Sequence, residues 1–243
     1  MIADPERGEH ARPSAQEQQI QQGNAAKSSL YVRAFRFVVR ATFMVLFRVR
    51  ILGLKNVPTT HTIVCINHLG WTDVFLVLLF FPVEPRIYVM GEAEVKDISA
   101  FRRWVINSLQ VFVMLDRSKP VLALRTMEDV LRRDGSILIC PEGRLGAQEG
   151  QLQPLQQGAA HTGVITGVPL LPVGLTGPSQ LWLRRTLVVR IGKPIEPVEF
   201  QGSSRERTHA MTDRLSIEMQ RLLPGDKEKP RIKLLQRWLT MLL

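Results

Sequence analysis

An α/β domain, with a largely parallel or mixed sheet flanked by helices, is predicted for this chain by three observations. Between Arg48 and Ile191, short aliphatic and β-branched runs alternate with longer segments of helical periodicity, the pattern that builds a parallel sheet through crossover helices. Most of these runs are apolar throughout, as strands buried on both faces are. Three of them stop abruptly at polar residues, in "INHLGWTD", "VFVMLDR" and "CPEGR". Chemistry in such folds sits in the loops at the carboxyl ends of the strands.

Taken in order, residues 1–29 are Gln-rich, mixed in charge and nearly free of large apolar side chains, so they are expected to stay disordered. They also lack the basic-then-apolar order of a signal peptide. Residues 30–47, "LYVRAFRFVVRATFMVLF", read as an amphipathic helix with Arg33, Arg36 and Arg40 at helical spacing on one face. A spanning helix needs about 20 apolar residues without central charge. This one is therefore expected to lie in a membrane interface, its apolar face in lipid and its arginines towards phosphates. The alternative is a helix packed on its own domain.

Strands are expected at Arg48–Leu52, Thr62–Ile66, Arg86–Met90, Gln110–Leu115, Ser136–Cys140, Leu170–Leu175 and Leu187–Ile191, within a domain spanning 48–202. Between them, a helix from Thr72 to Phe81 starts inside the first polar motif. Another follows Ser118, which can cap it, with Pro120 suited to its first turn and Gly135 to its end. Residues 203–243 hold two more helices: an amphipathic one from Glu206 to Leu222, and "KPRIKLLQRWLTMLL". In the latter, Ile232, Leu235, Leu239 and Leu242 form a stripe suited to packing or to membrane contact.

Lys and Arg outnumber Asp and Glu by 32 to 22, a net charge of +10, which implies an anionic partner. Aromatic residues, at 7% and scattered, do not form a base-stacking platform, and no zinc spacing or recognition-helix signature is present. Nucleic acid and a bound metal are accordingly not expected; anionic membrane lipid or a phosphorylated substrate is. Cys65 and Cys140 each lie in an apolar run and read as buried reduced thiols, which suits a cytosolic environment.

In "INHLGWTD", His68 precedes Asp73 by five positions. A His-x4-Asp spacing arises by chance too easily to decide anything alone, but polar endings on three strands carry more weight. His68 and Asp73 suit a base held by a carboxylate. Arg117 and Arg144 suit bidentate recognition of phosphate, and Gly143 permits a backbone to approach a ligand closely. Glu142 with Arg144 alone would read as a surface turn with a local ion pair.

The order "NHLGWTD", "VFVMLDR", "CPEGR", "VPLLPV" resembles the four blocks of the lysophospholipid acyltransferase family, best known for the 1-acylglycerol-3-phosphate acyltransferases. The resemblance runs from about Arg48 to Lys193. Where the family commonly has Gly and Phe in its second block, this chain has Val111 and Met114. Where the third block usually reads Glu-Gly-Thr-Arg, Arg144 follows Gly143 directly. These departures leave the acceptor's head group open.

The resemblance implies a single acyltransferase domain. It would move a fatty acyl group from a thioester, acyl-CoA or acyl-carrier protein, to the hydroxyl of a lysophospholipid, with 1-acylglycerol-3-phosphate foremost and no cofactor. His68 would be the base and Asp73 would fix its tautomer. Arg117 and Arg144 would hold the acceptor phosphate, with Glu142 orienting Arg144 or binding the glycerol. Trp71 would line the acyl channel or pack. Peripheral attachment at the cytoplasmic membrane face, through the N-terminal helix, is also implied. The competing outcomes are acylation of another lysolipid or an amine-containing lipid, thioester hydrolysis, and a non-catalytic lipid-binding protein of the same fold.

Overall fold

The computed structural model describes residues 30–82, 84–92, 111–116, 118–146 and 148–223. The N-terminal tail, Arg117 and the segment from Lys229 to Leu243 lie outside them. All seven expected strands form: β1 (Arg48–Leu52), β2 (Ile63–Ile66), β3 (Ile87–Glu92), β4 (Phe112–Leu115), β5 (Ser136–Ile139), β6 (Leu170–Thr176) and β7 (Thr186–Ile191). They make one sheet in the order β1-β7-β6-β2-β5-β3-β4. Five of them, β2 to β6, run parallel. The hairpin from β6 to β7 turns antiparallel and carries β1 parallel to β7, so the sheet is mixed.

The central strands are buried on both faces, which is why β2 and β6 show no alternation. Val64 and Ile66 of β2 enter one apolar cluster with Leu138, Leu171 and Val173. Ile63 and Cys65 enter a second, on the opposite face, with Ile137 and Leu170. The first cluster is closed by α1 (Leu30–Leu46) and α2 (Trp71–Phe80). The second is closed by α3 (Pro120–Arg132), α4 (Gly158–Thr166) and α5 (Ser204–Arg221).

Helix α2 is apolar nearly all round because it lies between the sheet and α1. Helix α1 seats Phe43 in the core, and Phe47 just past its end is buried there too, so it does pack on its own domain. The expected arginine face is revised. Arg36 turns inward, its Nε and Nη2 donating to the carbonyl of Leu79 at 3.2 and 3.1 Å, and Nη2 also to the carbonyl of Phe81. These carbonyls sit at the carboxyl end of α2, where groups lack intrahelical partners and the dipole favours a cation. The Arg40 guanidinium lies 5.0 Å from the centroid of the Phe80 ring. Arg33 and Arg40 stay exposed, and α1 also turns apolar side chains outward: Phe37, Val38, Met44 and Val45 are all more than half exposed, and their spacing places them along one side of the helix.

Three further differences have local causes. Ser118 does not cap α3; its N–H and hydroxyl donate to Asp116 Oδ1 at 2.9 and 2.6 Å, a stronger acceptor nearby. That helix ends with Asp134, not Gly135, in the left-handed region, at φ 58°. Helix α4 was not anticipated: "GAAHTGVIT" has little amphipathic pattern, and its small residues serve close packing against the second core cluster. The expected helix from Glu206 forms as α5 but starts two residues earlier, with Ser203 and Glu206 forming a reciprocal cap.

Candidate active site

Strands β2 and β5 are neighbours and parallel. The chain leaves β2 for α2 on one face of the sheet and leaves β5 for α4 on the other. Adjacent strands whose helices depart to opposite faces open a crevice at their carboxyl ends, where ligands bind in α/β folds. The loop after β2 brings Asn67 and His68 to this crevice, and the loop after β5 brings Glu142.

Asn67 is buried and imitates a peptide group: Nδ2 donates to the carbonyl of Leu175 at 3.1 Å, and the N–H of Leu175 donates to Oδ1 at 2.7 Å. It thereby ties the end of β2 to β6 and sets where the next residue leaves the sheet. That residue, His68, meets Asp73 as expected, with Nδ1 to Oδ2 at 3.2 Å. The same oxygen accepts from the N–H groups of Leu69 and Gly70 at 2.5 and 2.7 Å. Asp73 thus also caps the first turn of α2. Its other oxygen, Oδ1, is buried with no hydrogen-bond partner among the described residues. Burial pushes the Asp73 carboxyl above the usual range, against the hydrogen bonds from His68 and the backbone. The His68 side chain remains 30% exposed, so the pair is open to a ligand on the imidazole side only.

The loop after β5 grips the His68 peptide from both ends. Glu142, 3% exposed, accepts the His68 N–H on Oε1 at 2.9 Å and the Gln153 N–H on Oε2 at 2.8 Å. The Gly146 N–H donates to the His68 carbonyl at 2.6 Å. A Cβ on Gly146 would come within 3.1 Å of that carbonyl, so the close approach depends on glycine. Gly143 takes the left-handed region, at φ 65°, where glycine is favoured. Burial raises the Glu142 carboxyl above its usual range, opposed by those two backbone donors. The expected link from Glu142 to Arg144 is indirect. Arg144 is exposed and its Nη2 donates to Gln153 Oε1 at 3.2 Å, so Gln153 joins the two.

At the end of β4, Arg117 lies outside the described residues. Its neighbour Asp116 is taken up by Ser118 and by Lys119, whose Nζ is 3.5 Å from Oδ2. Trp71 packs on Phe112, with ring centroids 6.3 Å apart. Cys65 is buried and Cys140 half-buried, both free. Burial holds each thiol above its ordinary range, which disfavours a nucleophilic thiolate. Among the described residues no cluster of His, Cys, Asp or Glu is arranged to hold a metal. None of their helices is long and apolar enough to cross a membrane.

Asn67, Gly146 and Gln153 are the site residues that sequence reasoning missed. Asn67 stood in plain view beside His68, but its partner is 108 positions away.

Comparison with known proteins agrees with this architecture. A 1-acyl-sn-glycerol-3-phosphate acyltransferase of Cocos nucifera is 29% identical over 136 residues, covering 54% of this chain and 42% of that protein. Another of the same description, from Limnanthes douglasii, is 27% identical over 128 residues, covering 51% and 44%. The chain therefore aligns with less than half the length of these curated relatives. The crystal structure of the 1-acyl-sn-glycerophosphate (LPA) acyltransferase PlsC from Thermotoga maritima superposes with a TM-score of 0.62. It is 22% identical, covers 84% of this chain and 86% of that one, and establishes a shared fold. The Acyltransferase family matches residues 48–176, more than half of the 243 and the stretch that holds His68, Asp73, Glu142, Arg144 and Gln153; this chain belongs to that family.

Proposed function

We propose that this protein transfers a fatty acyl group from a thioester, acyl-CoA or acyl-carrier protein, to the free hydroxyl of a lysophospholipid, with 1-acylglycerol-3-phosphate the favoured acceptor. The observation that carries the reading is the His68–Asp73 contact of 3.2 Å at the carboxyl edge of the sheet. With Nδ1 held by Asp73, Nε2 is the nitrogen that takes the acceptor's hydroxyl proton. The alcohol oxygen attacks the thioester carbonyl, the new C–O bond forms, the C–S bond breaks, and the thiolate leaves with the proton. No enzyme nucleophile is required, because the acceptor attacks directly, and no cofactor beyond the donor enters. The relatives described as 1-acyl-sn-glycerol-3-phosphate acyltransferases support the acceptor class. Arg144, and Arg117 of the separate "VFVMLDR" block, supply cations for the phosphate.

A lipid acceptor places the enzyme at a membrane, and we assign peripheral attachment at the cytoplasmic face to the outer side of α1. Phe37, Val38, Met44 and Val45 supply an apolar ridge there, and the net charge of +10 favours an anionic surface.

The test is an acyl-transfer assay on the full chain, with acyl-CoA and acyl-carrier protein each offered against lysolipids of different head groups, and His68→Ala as the control. Transfer that depends on His68 and is fastest to the phosphomonoester lysolipid is expected. Thioester hydrolysis indifferent to acceptor would make the protein a thioesterase, and lysolipid binding without turnover would make it a binding protein.

A further inference from the structure

Residues 142–146 do two things at once. Their ends hold the His68 peptide, through Glu142 Oε1 and the Gly146 N–H, and their middle carries Arg144. The backbone of Arg144 is therefore fixed beside the base, but its long side chain is exposed and rich in rotamers. Gln153 supplies what the backbone cannot. Its main chain is immobilised on one side by its own N–H bond to Glu142 at 2.8 Å. On the other, Gln220 of α5 accepts the Leu152 N–H at 3.3 Å and donates to the Gly150 carbonyl at 3.2 Å. From that fixed base its side-chain oxygen accepts the Arg144 Nη2 at 3.2 Å, the hydrogen-bond partner of Arg144 among the described residues.

We infer that Gln153 is a positioning residue for the acceptor site, holding the Arg144 guanidinium in the orientation that receives the acceptor's phosphate. This rests on the reading of Arg144 as a phosphate ligand. A neutral amide is suited to the task because it orients the cation without neutralising it. A carboxylate here would compete with the phosphate for the same charge.

The test is a double-mutant cycle on the full chain, using Gln153→Met, Arg144→Ala and the double variant. Methionine keeps the length, the unbranched shape and the backbone N–H, and removes the side-chain amide, its acceptor oxygen and NH2 together. The acceptor KM, donor KM and kcat are measured separately, and thermal melts check folding. Gln153→Met is expected to raise the acceptor KM about three- to tenfold, the scale of one exposed charge-assisted hydrogen bond, with donor KM unchanged. Arg144→Ala should raise it at least as far, and the second substitution should then add nothing.

An unchanged acceptor KM in Arg144→Ala would overturn the phosphate reading beneath the inference. A raised value there with a normal one in Gln153→Met would overturn the role of Gln153 alone. Equal effects of Gln153→Met with and without Arg144 would do the same, because the amide would then act on some other group. If Gln153→Met melts early, Gln153→Leu in the same cycle decides between these outcomes.

Discussion

Replacing Glu142 separates two roles that a carboxylate in this motif can have. If it faced the acceptor, its loss would raise an acceptor KM and leave the fold alone. The geometry instead gives it two backbone donors, the N–H groups of His68 and Gln153 at 2.9 and 2.8 Å, on a side chain only 3% exposed. A buried N–H stripped of its acceptor costs about 1–3 kcal/mol. Glu142→Gln keeps one acceptor oxygen and turns an NH2 towards the other donor, so a loss of about 1–3 kcal/mol is expected. Glu142→Ala abandons both donors and should lose about 2–6 kcal/mol, a large share of a typical domain's 5–15 kcal/mol.

The same change frees one end of the His68 peptide, and a displacement of about 1 Å at a reacting group can cost about 10²-fold in rate. Urea unfolding followed by circular dichroism measures the first effect, and kcat at saturating acceptor the second. Wild-type unfolding of Glu142→Gln, together with a raised acceptor KM and normal kcat, would refute the clamp.

Asp73→Asn should lower kcat by about 10²–10⁴-fold while the protein still folds. Because the folded carboxyl titrates above its usual range, the folded state holds the extra proton between the ordinary Asp range and that raised value. Wild-type stability therefore falls as pH rises through this window, and melts of Asp73→Asn across pH should lack that slope. Arg36→Ala, which leaves the Leu79 and Phe81 carbonyls without their cation, should cost about 1–3 kcal/mol in urea unfolding. Sedimentation with liposomes should be retained by that variant if attachment uses the outer side of α1. Conversely, Phe37→Ser with Val45→Ser should reduce liposome sedimentation with little change in the melt, because both side chains are already exposed, at 72% and 69%.

What was readable in the sequence is what depends on nearby residues. The strands announced themselves because each is a short apolar run bounded by polar groups, and α5 because its amphipathic pattern is local. The meeting of His68 and Asp73 was readable for the same reason, one ending a strand and the other in the first turn of the next helix. Arg36 was misread because periodicity shows that a charge lies on a face but not what that face meets. Helix α4 escaped because its glycines and alanines make sense only against the sheet they pack on. The partners of Glu142, Asn67 and Gln153 depend on which strands lie side by side, and the order in which β5 and β6 flank β2 is not written in any local stretch.

That dependence on strand order has a consequence for how the protein acquires activity. The bond from His68 to Glu142 joins residues 74 positions apart, and the bonds from Asn67 to Leu175 join residues 108 apart. Such contacts close large chain loops, whose entropy must be overcome before any contact is gained, and folds dominated by them form slowly. A chain emerging during synthesis can complete β2 and α2, and so bring His68 to Asp73, long before β5 and β6 exist to hold them. The pair is a local structure, but its placement is a global one. Turnover therefore reports the last act of assembly, and a partly folded chain carries its catalytic residues without an enzyme around them.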